Sequence, residues 1–321
     1  MEELYPLKFE PILKEKVWGG NKLKTLLNRN TNGNIGESWD ISGVDGSISK
    51  VKNGFLKGVS LVSLVVDYKE KLVGKKIFER FGTNFPLLFK FIDAAQDLSV
   101  QLHPGDALAK QRHNSFGKTE MWYIIDAEED SNLILGFNKK MTEDTYLKSI
   151  SDNNITKVLH SEKAIKGDAF FIKPGTVHSI GAGILLAEIQ QTSDVTYRIY
   201  DWDRLDGDNL RELHNDIALE AIDFGSTKSK LNYKKDKNEV SNLVSNPYFE
   251  TNILNLTLDK DRSLKSIDSF VVYMCVAGNA EIKAKDFSEK IEFGETILIP
   301  ASISEIEIKT LGATLLEVYI P

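Results

Sequence analysis

The sequence predicts a mainly β protein with helical insertions, built from two related β-barrel (jelly-roll) units. Two observations carry this expectation. First, Gly167-Asp168-Ala169-Phe170-Phe171-Ile172-Lys173-Pro174-Gly175 and Gly294-Glu295-Thr296-Ile297-Leu298-Ile299-Pro300-Ala301-Ser302 follow one pattern: glycine, acid, small residue, apolar run, proline turn. Short strands bounded by Gly and Pro are the expected pattern of an antiparallel barrel. Second, strand-like runs stand upstream of each echo: Met121 to Asp126 with Asn132 to Phe137, and Phe270 to Ala277 with Ala280 to Lys283. Gly278-Asn279 supplies a tight turn inside the second pair. Together they imply an internal duplication at long range.

Three helical stretches interrupt the strands. Leu61 to Phe81 has apolar residues near helical spacing and ends at Gly82, a natural C-terminal stop. Thr142 to Asp152 opens with Thr142-Glu143-Asp144, an N-cap followed by acids that suit the helix dipole. Asn209 to Ala221 is a weaker third segment. The polar, Lys-rich stretch near Gly225 to Asn246 reads as a linker. The expected organisation is an N-terminal unit at 1–225, a linker at 226–246 and a C-terminal unit at 247–321.

Composition narrows the function classes. The chain has 321 residues, 41% hydrophobic and 27% charged, which is ordinary for a soluble globular protein. A net charge of -7 argues against a nucleic-acid footprint. Lys228, Lys230, Lys234, Lys235 and Lys237 cluster in polar sequence and read as a solvated loop. Residues Met1 to Phe9 carry no signal-peptide pattern, and no apolar run approaches a membrane-spanning length. The single cysteine, Cys275, lies in an apolar run and reads as a buried core thiol. One lone thiol fits a reducing compartment, and a cytoplasmic location is expected.

The chemistry concentrates in a few residues. Gln101-Leu102-His103-Pro104, Glu120 in Lys118-Thr119-Glu120-Met121-Trp122-Tyr123, and His178 in Pro174-Gly175-Thr176-Val177-His178 place two of only five histidines near a carboxylate in strand-like settings. Such a set makes a first shell for one divalent cation. Gln101 and His103, two apart on a strand, point to one face. His113, His160 and His214 read as structural or surface groups. Trp122, Tyr123, Tyr200 and Trp202 read mainly as core.

The glycine–acid–apolar-run–Pro-Gly–x–x–His string resembles a motif of the cupin superfamily. Gln101-Leu102-His103-Pro104, Gly117-Lys118-Thr119-Glu120-Met121-Trp122-Tyr123, Pro174-Gly175-Thr176-Val177-His178 and Ser193-Asp194-Val195-Thr196-Tyr197-Arg198-Ile199-Tyr200-Asp201-Trp202 resemble the type I mannose-6-phosphate isomerase family. Trp18-Gly19-Gly20 and Gly36-Glu37-Ser38-Trp39 match its short bacterial branch. The resemblance implies one zinc per chain, on Gln101, His103, Glu120 and His178; the donor set alone leaves nickel or iron open. It implies interconversion of mannose 6-phosphate and fructose 6-phosphate through an enediol. Arg198 is expected to stabilise developing charge, and Lys118, Arg198 and Lys90 to hold the sugar phosphate. Glu188, a lone acid in an apolar run, is expected either to shuttle the proton or to pair with Arg198, with Asp194 and Lys118 as alternative bases. The second echo has no histidine, so the C-terminal cupin-like unit is expected to lack a metal and to stabilise the first. A monomer or weak homodimer is expected. An iron-dependent cupin oxygenase and a non-catalytic sugar-phosphate sensor are the competing readings, since fold alone does not fix function.

Overall fold

The structure, a computed structural model, describes residues 3–225 and 228–321; Met1, Glu2 and the first two residues of the expected linker, 226 and 227, lie outside the described residues. The described chain forms two jelly-roll-like β units, the first a two-sheet sandwich and the second a single rolled sheet, that share a buried interface. In the first, a six-stranded antiparallel sheet runs Ala169–Ile172, Glu120–Ala127, Ile184–Gln191, Leu87–Ala94, Ile12–Gly20, Ile35–Ile41. It faces a five-stranded sheet ordered Leu159–Lys163, Asn132–Phe137, His178–Ile180, Val100–Leu102, Tyr197–Tyr200. Trp18, Ile92, Trp122, Ile124, Leu135 and Ile180 fill the space between them.

The C-terminal roll is one eight-stranded sheet wrapped around Tyr273, Cys275, Ile297, Ile306 and Leu315. Val240–Ser245, inside the expected linker, is a strand of this sheet, and Leu7–Lys8 joins its other side beside Thr296–Ile299. Its outer face, with Val272, Met274 and Leu316, packs on the outer face of the six-stranded sheet, with Phe89, Met121 and Ile189. The central strands of that sheet are therefore buried on both faces and read as continuous apolar runs. On the inner face only a few charges interrupt the pattern, among them Lys90, Glu120 and Glu188.

The two echoes occupy equivalent places. Gly167 N–H donates to Ile124 O (2.8 Å) and Ile124 N–H to Asp168 O (2.9 Å); Gly294 N–H donates to Cys275 O (2.8 Å) and Cys275 N–H to Glu295 O (2.9 Å). Both glycines have φ +82°, the left-handed region that favours Gly. A local motif read in the sequence is thus one local structure used twice.

Four segment expectations need correction. Glu120–Ala127 and Asn132–Phe137 do not pair; they lie in opposite sheets, turning at Glu128–Ser131. Gly278-Asn279 is not a turn: Val271–Ala284 is one bulged strand, and the hairpin turn falls at Lys285-Asp286. A Cβ at Gly278 would stand 2.0 Å from Gly312 O, so the glycine serves a close strand approach at a bulge. Leu61 to Phe81 is three helices, Leu61–Tyr68, Glu70–Val73 and Lys75–Phe81, broken at Lys69 (φ 48°) and Gly74 (φ 95°). The break leaves Leu72 O and Lys71 O to accept from Ala301 N–H and Ser302 N–H at the second echo's turn (2.9 Å each). Of Asn209 to Ala221 only Asn215–Ala218 is helical, because Asn209–Leu210 pairs with Leu205–Asp206. Thr142 does cap a helix, Glu143–Ser151, accepting from Thr145 N–H. No described helix is long and apolar enough to cross a membrane.

Candidate functional site

The site lies at one end of the first sandwich, where polar residues replace its apolar filling. Strand Val100–Leu102 runs between His178–Ile180 and Tyr197–Tyr200, with Gln101 directly opposite both His178 and Arg198. Directly opposed residues share a face, so these three side chains project into the sandwich together. His103 follows the strand end, fixed by Gly175 N–H donating to its carbonyl (2.8 Å). Glu120 enters from the other sheet at the start of its strand, in register with Gln190 and Ile172. Its carboxylate bridges the two sheets: Oε1 lies 3.3 Å from His103 Nε2 and Oε2 3.8 Å from His178 Nε2. One donor atom from each of these buried residues lies within 4.8 Å of the others.

Hydrogen bonds fix which nitrogens are free. His103 Nδ1–H donates to Val195 O (2.9 Å) and His178 Nδ1–H to Thr176 O (2.8 Å). Both Nε2 lone pairs therefore face Glu120. Burial, then the Lys118 cation, pulls His103 down to about 3, and burial likewise lowers His178, so both imidazoles are neutral. Burial pushes the Glu120 carboxyl up, but the Lys118 cation foremost overrides it and holds it well below the usual carboxylate range. His178 Nε2 and both Glu120 oxygens are buried without a hydrogen bond. Lys118 Nζ stands 2.7 Å from Glu120 Oε1, off a hydrogen-bonding angle, and 3.0 Å from His103 Nε2. Buried acceptors left without donors are costly. Two neutral imidazoles and a carboxylate with converging lone pairs fit a divalent metal, and the donor chemistry needs no thiol.

A cavity of about 320 Å³ opens beside this cluster, with Gln101, Lys118 and His178 in its wall. Glu188 lies at its inner side, between Lys90 and Trp122 on the neighbouring strands. Lys90 Nζ is 2.9 Å from Glu188 Oε1, and Trp122 Nε1–H donates to Oε2 (2.9 Å). The expected alternative partner of Glu188, Arg198, is thus replaced by Lys90. Burial pulls Lys90 down, but Glu188 and Glu37 push it up to about 12. Burial raises Glu188 above the ordinary carboxylate value although Lys90 opposes it. Trp122 also meets the His178 ring edge-on at 5.4 Å.

The cavity's other wall is cationic. Arg198 makes no ion pair among the described residues; its Nη1–H donates to Glu212 O (2.8 Å) and its buried Nε has no acceptor. Arg211, by contrast, is held by Asp201 through two contacts of 2.6 Å. Sequence reading missed Arg211 and Lys16 as lining residues and passed over Glu37 and Trp39 except as motif letters. The alternation of Glu37 and Trp39 along Ile35–Ile41 was the available signal; Arg211 sits in a loop and offered none. Of the other histidines, His113 bonds Tyr197 OH (2.8 Å), His160 is exposed near Glu162, and His214 Nδ1 accepts from Arg198 N–H (3.1 Å). None joins the cluster.

The C-terminal roll shows what the site loses when its residues change. In register, Glu120 opposes Ile172, and the corresponding residue opposing Ile299 is Val271. Trp122 and Glu188 are matched by Tyr273 and Glu317, and Tyr273 O–H donates to Glu317 Oε2 (2.6 Å) just as Trp122 N–H does to Glu188. There Arg262 closes the pair, donating from Nε to Glu317 Oε2 (2.8 Å) and from Nη2 to Oε1 (2.7 Å). A buried acid with an aromatic donor thus occurs in both rolls; among the described residues, only the first adds a histidine–carboxylate cluster.

The comparisons with known proteins agree with this geometry. Residues 6–135 match the family model "Phosphomannose isomerase type I, catalytic domain", and residues 239–320 match "Mannose-6-phosphate isomerase, cupin domain". The chain is 35% identical over 309 residues to the mannose-6-phosphate isomerase ManA of Bacillus subtilis, covering 95% of this chain and 96% of that one. It is 32% identical to the mannose-6-phosphate isomerase of Streptococcus mutans, covering 93% of each. A crystal structure of the mannose 6-phosphate isomerase from Bacillus subtilis superposes with a TM-score of 0.89 at 30% identity, over 98% of this chain and 99% of that one. With both rolls, the donor cluster and near full-length similarity in agreement, the chain belongs to the type I phosphomannose isomerase family.

Proposed function

We propose that the chain is a zinc-dependent aldose–ketose isomerase interconverting mannose 6-phosphate and fructose 6-phosphate. The observation that carries this reading is the convergence of His103, Glu120 and His178 beside a cation-lined cavity. Gln101, His103, Glu120 and His178 would hold one zinc, a metal suited to imidazole and carboxylate donors. When bound, the metal supplies Lewis-acid polarisation of the sugar carbonyl and the neighbouring hydroxyl.

The chain's own residues supply the rest. Arg198, with no carboxylate partner, is the cation best placed to take the phosphate, its guanidinium matching phosphate oxygens in pairs. Lys118 and Lys90 add positive potential where enediol oxygens carry charge. Glu188 takes the C2 proton of the aldose onto a carboxylate oxygen and returns it to C1, while a proton passes from O2 to O1. Burial raises its carboxyl above the ordinary value, so it holds a transferred proton more readily than an exposed one would. Trp122 and Lys90 fix the carboxylate's orientation. A monomer or weak homodimer accompanies this reading, and the lone buried Cys275 fits a cytoplasmic setting.

The test is a coupled assay with mannose 6-phosphate on zinc-loaded protein and on Glu188→Gln. Turnover of wild type with a loss of about a hundredfold or more in the variant is expected, the lower range of a general acid–base contribution. A variant that keeps zinc and near-full turnover removes Glu188 from the role. A zinc-loaded wild type without turnover removes the reaction.

A further inference from the structure

The C-terminal roll has no metal-type donors at the Glu120 position, yet it reaches the first roll's site through one residue. Tyr248, in the turn between Val240–Ser245 and Glu250–Leu256, donates its O–H to Asp106 Oδ2 (2.8 Å). Asp106 is the first residue of helix Asp106–His113, just after His103-Pro104-Gly105. Its other oxygen, Oδ1, accepts from Gly117 N–H (2.9 Å) and from Gln191 Nε2–H (3.0 Å). Gln191 in turn grips Thr119 from both sides: its Oε1 accepts from Thr119 N–H (2.9 Å), and its own N–H donates to Thr119 O (3.2 Å). The segment so held, Gly117 to Glu120, carries Lys118 and Glu120.

Packing agrees with the hydrogen bonds. A Cβ on Gly117 would stand 2.6 Å from Asp106 N and 2.8 Å from Asp106 Oδ1. The carboxylate therefore sits directly on the glycine backbone, and no side chain fits between them. The turn bearing Tyr248 is itself anchored: Asn246 Oδ1 accepts from Tyr248 N–H (2.9 Å), Arg80 Nη1–H donates to Pro247 O (3.1 Å), and Phe249 is fully buried beside Phe171.

We propose that Asp106, braced by Tyr248 of the C-terminal roll, is a positioning residue that sets Lys118 and Glu120 for metal binding and turnover. The C-terminal roll then has a task beyond covering a hydrophobic face: it fixes the register of the segment that brings the carboxylate donor. The kinetic half of this inference rests on the proposed isomerisation. The metal-binding half stands without it.

The experiment compares Asp106→Ala, Asp106→Asn, Tyr248→Phe and, as a control, Tyr319→Phe, which removes a similar tyrosine–carboxylate bond to Glu250 away from the site. Zinc affinity is read by competition with a chelator, kcat and KM with mannose 6-phosphate, and folding by thermal unfolding. Asp106→Ala is expected to weaken zinc retention about tenfold and to lower kcat more than it raises KM, as loss of a support behind a metal ligand does. Tyr248→Phe shifts both in the same direction by a smaller factor. Asp106→Asn recovers most of the loss, because its Oδ1 still accepts from Gly117 and Gln191. Tyr319→Phe matches wild type. Wild-type zinc affinity in Asp106→Ala and Tyr248→Phe overturns the inference, as does an equal loss in the alanine and asparagine variants. If Asp106→Ala does not fold, Tyr248→Phe decides: zinc affinity equal to that of Tyr319→Phe overturns it. A wild type that binds zinc but does not turn over removes the isomerase reading, and the affinity series still decides this one.

Discussion

Lys90→Met should turn the buried pair at the cavity's inner side into a measurable liability. Methionine keeps the length of the side chain and removes its charge. Glu188, 3% exposed, then loses the ammonium 2.9 Å from Oε1, and Glu37 loses a more distant one at 3.9 Å but keeps Lys16 at 3.4 Å. Breaking a buried pair typically costs about 3–5 kcal/mol, because the surviving charge has no partner. Glu188 has an escape: it can take up a proton. From an ordinary value of 4.5, that costs about 3.4 kcal/mol at pH 7, which sets the upper end of the expected penalty. In the variant the folded pKa of Glu188 lies further above its unfolded value, so the folded chain holds a proton that the unfolded chain releases. The variant's stability therefore falls as pH rises above about 4.5 and levels off once the folded value is passed. At pH 5 the penalty should shrink to about 0.7 kcal/mol. The assay is urea unfolding of wild type, Lys90→Met and Lys90→Met/Glu188→Gln at both pH values. The double variant should return to within about 1 kcal/mol of wild type, since it carries no orphaned charge. An equal Lys90→Met penalty at pH 5 and pH 7, or a double variant no more stable than the single, would refute the reasoning.

Other expectations are simpler. Arg198→Met should raise KM for mannose 6-phosphate about ten- to a hundredfold, the range of a lost charge-assisted hydrogen bond, and leave zinc content unchanged; steady-state kinetics with metal analysis checks both. Cys275, fully buried and with its thiol pushed up to about 12 by burial, should resist thiol reagents in the folded protein and label promptly in urea. Thr142→Ala should cost about 1 kcal/mol by removing a helix cap, read by urea unfolding, without changing kcat.

Several polar groups of the candidate site were legible because they are intruders in apolar sequence. In strands buried on both faces, such as Leu87–Ala94, Glu120–Ala127 and Ile184–Gln191, a lone Lys90, Glu120 or Glu188 stands out, and a hydrophobic interior does not tolerate it without a partner. Which partner it takes was not legible: Glu188 meets Lys90 rather than Arg198 because strand register, set by long-range pairing, places Leu87–Ala94 alongside Ile184–Gln191. Helix Glu143–Ser151 was readable from its cap, whereas helix Asp106–His113 buries only Ala109 and offers no apolar periodicity. The breaks at Lys69 and Gly74 were invisible because they answer to the Ala301-Ser302 turn some 230 residues away. The second strand pair misled because a bulge glycine and a turn glycine carry the same local signature.

The proposed metal centre is most directly tested by measuring metal content and turnover together, in wild type, in chelator-treated protein and in His178→Ala. The expected result is close to one divalent ion per chain, zinc restoring the turnover that chelation removes, and neither metal nor turnover in His178→Ala. Full turnover of mannose 6-phosphate by protein stripped of metal, or undiminished metal binding in His178→Ala, would contradict it.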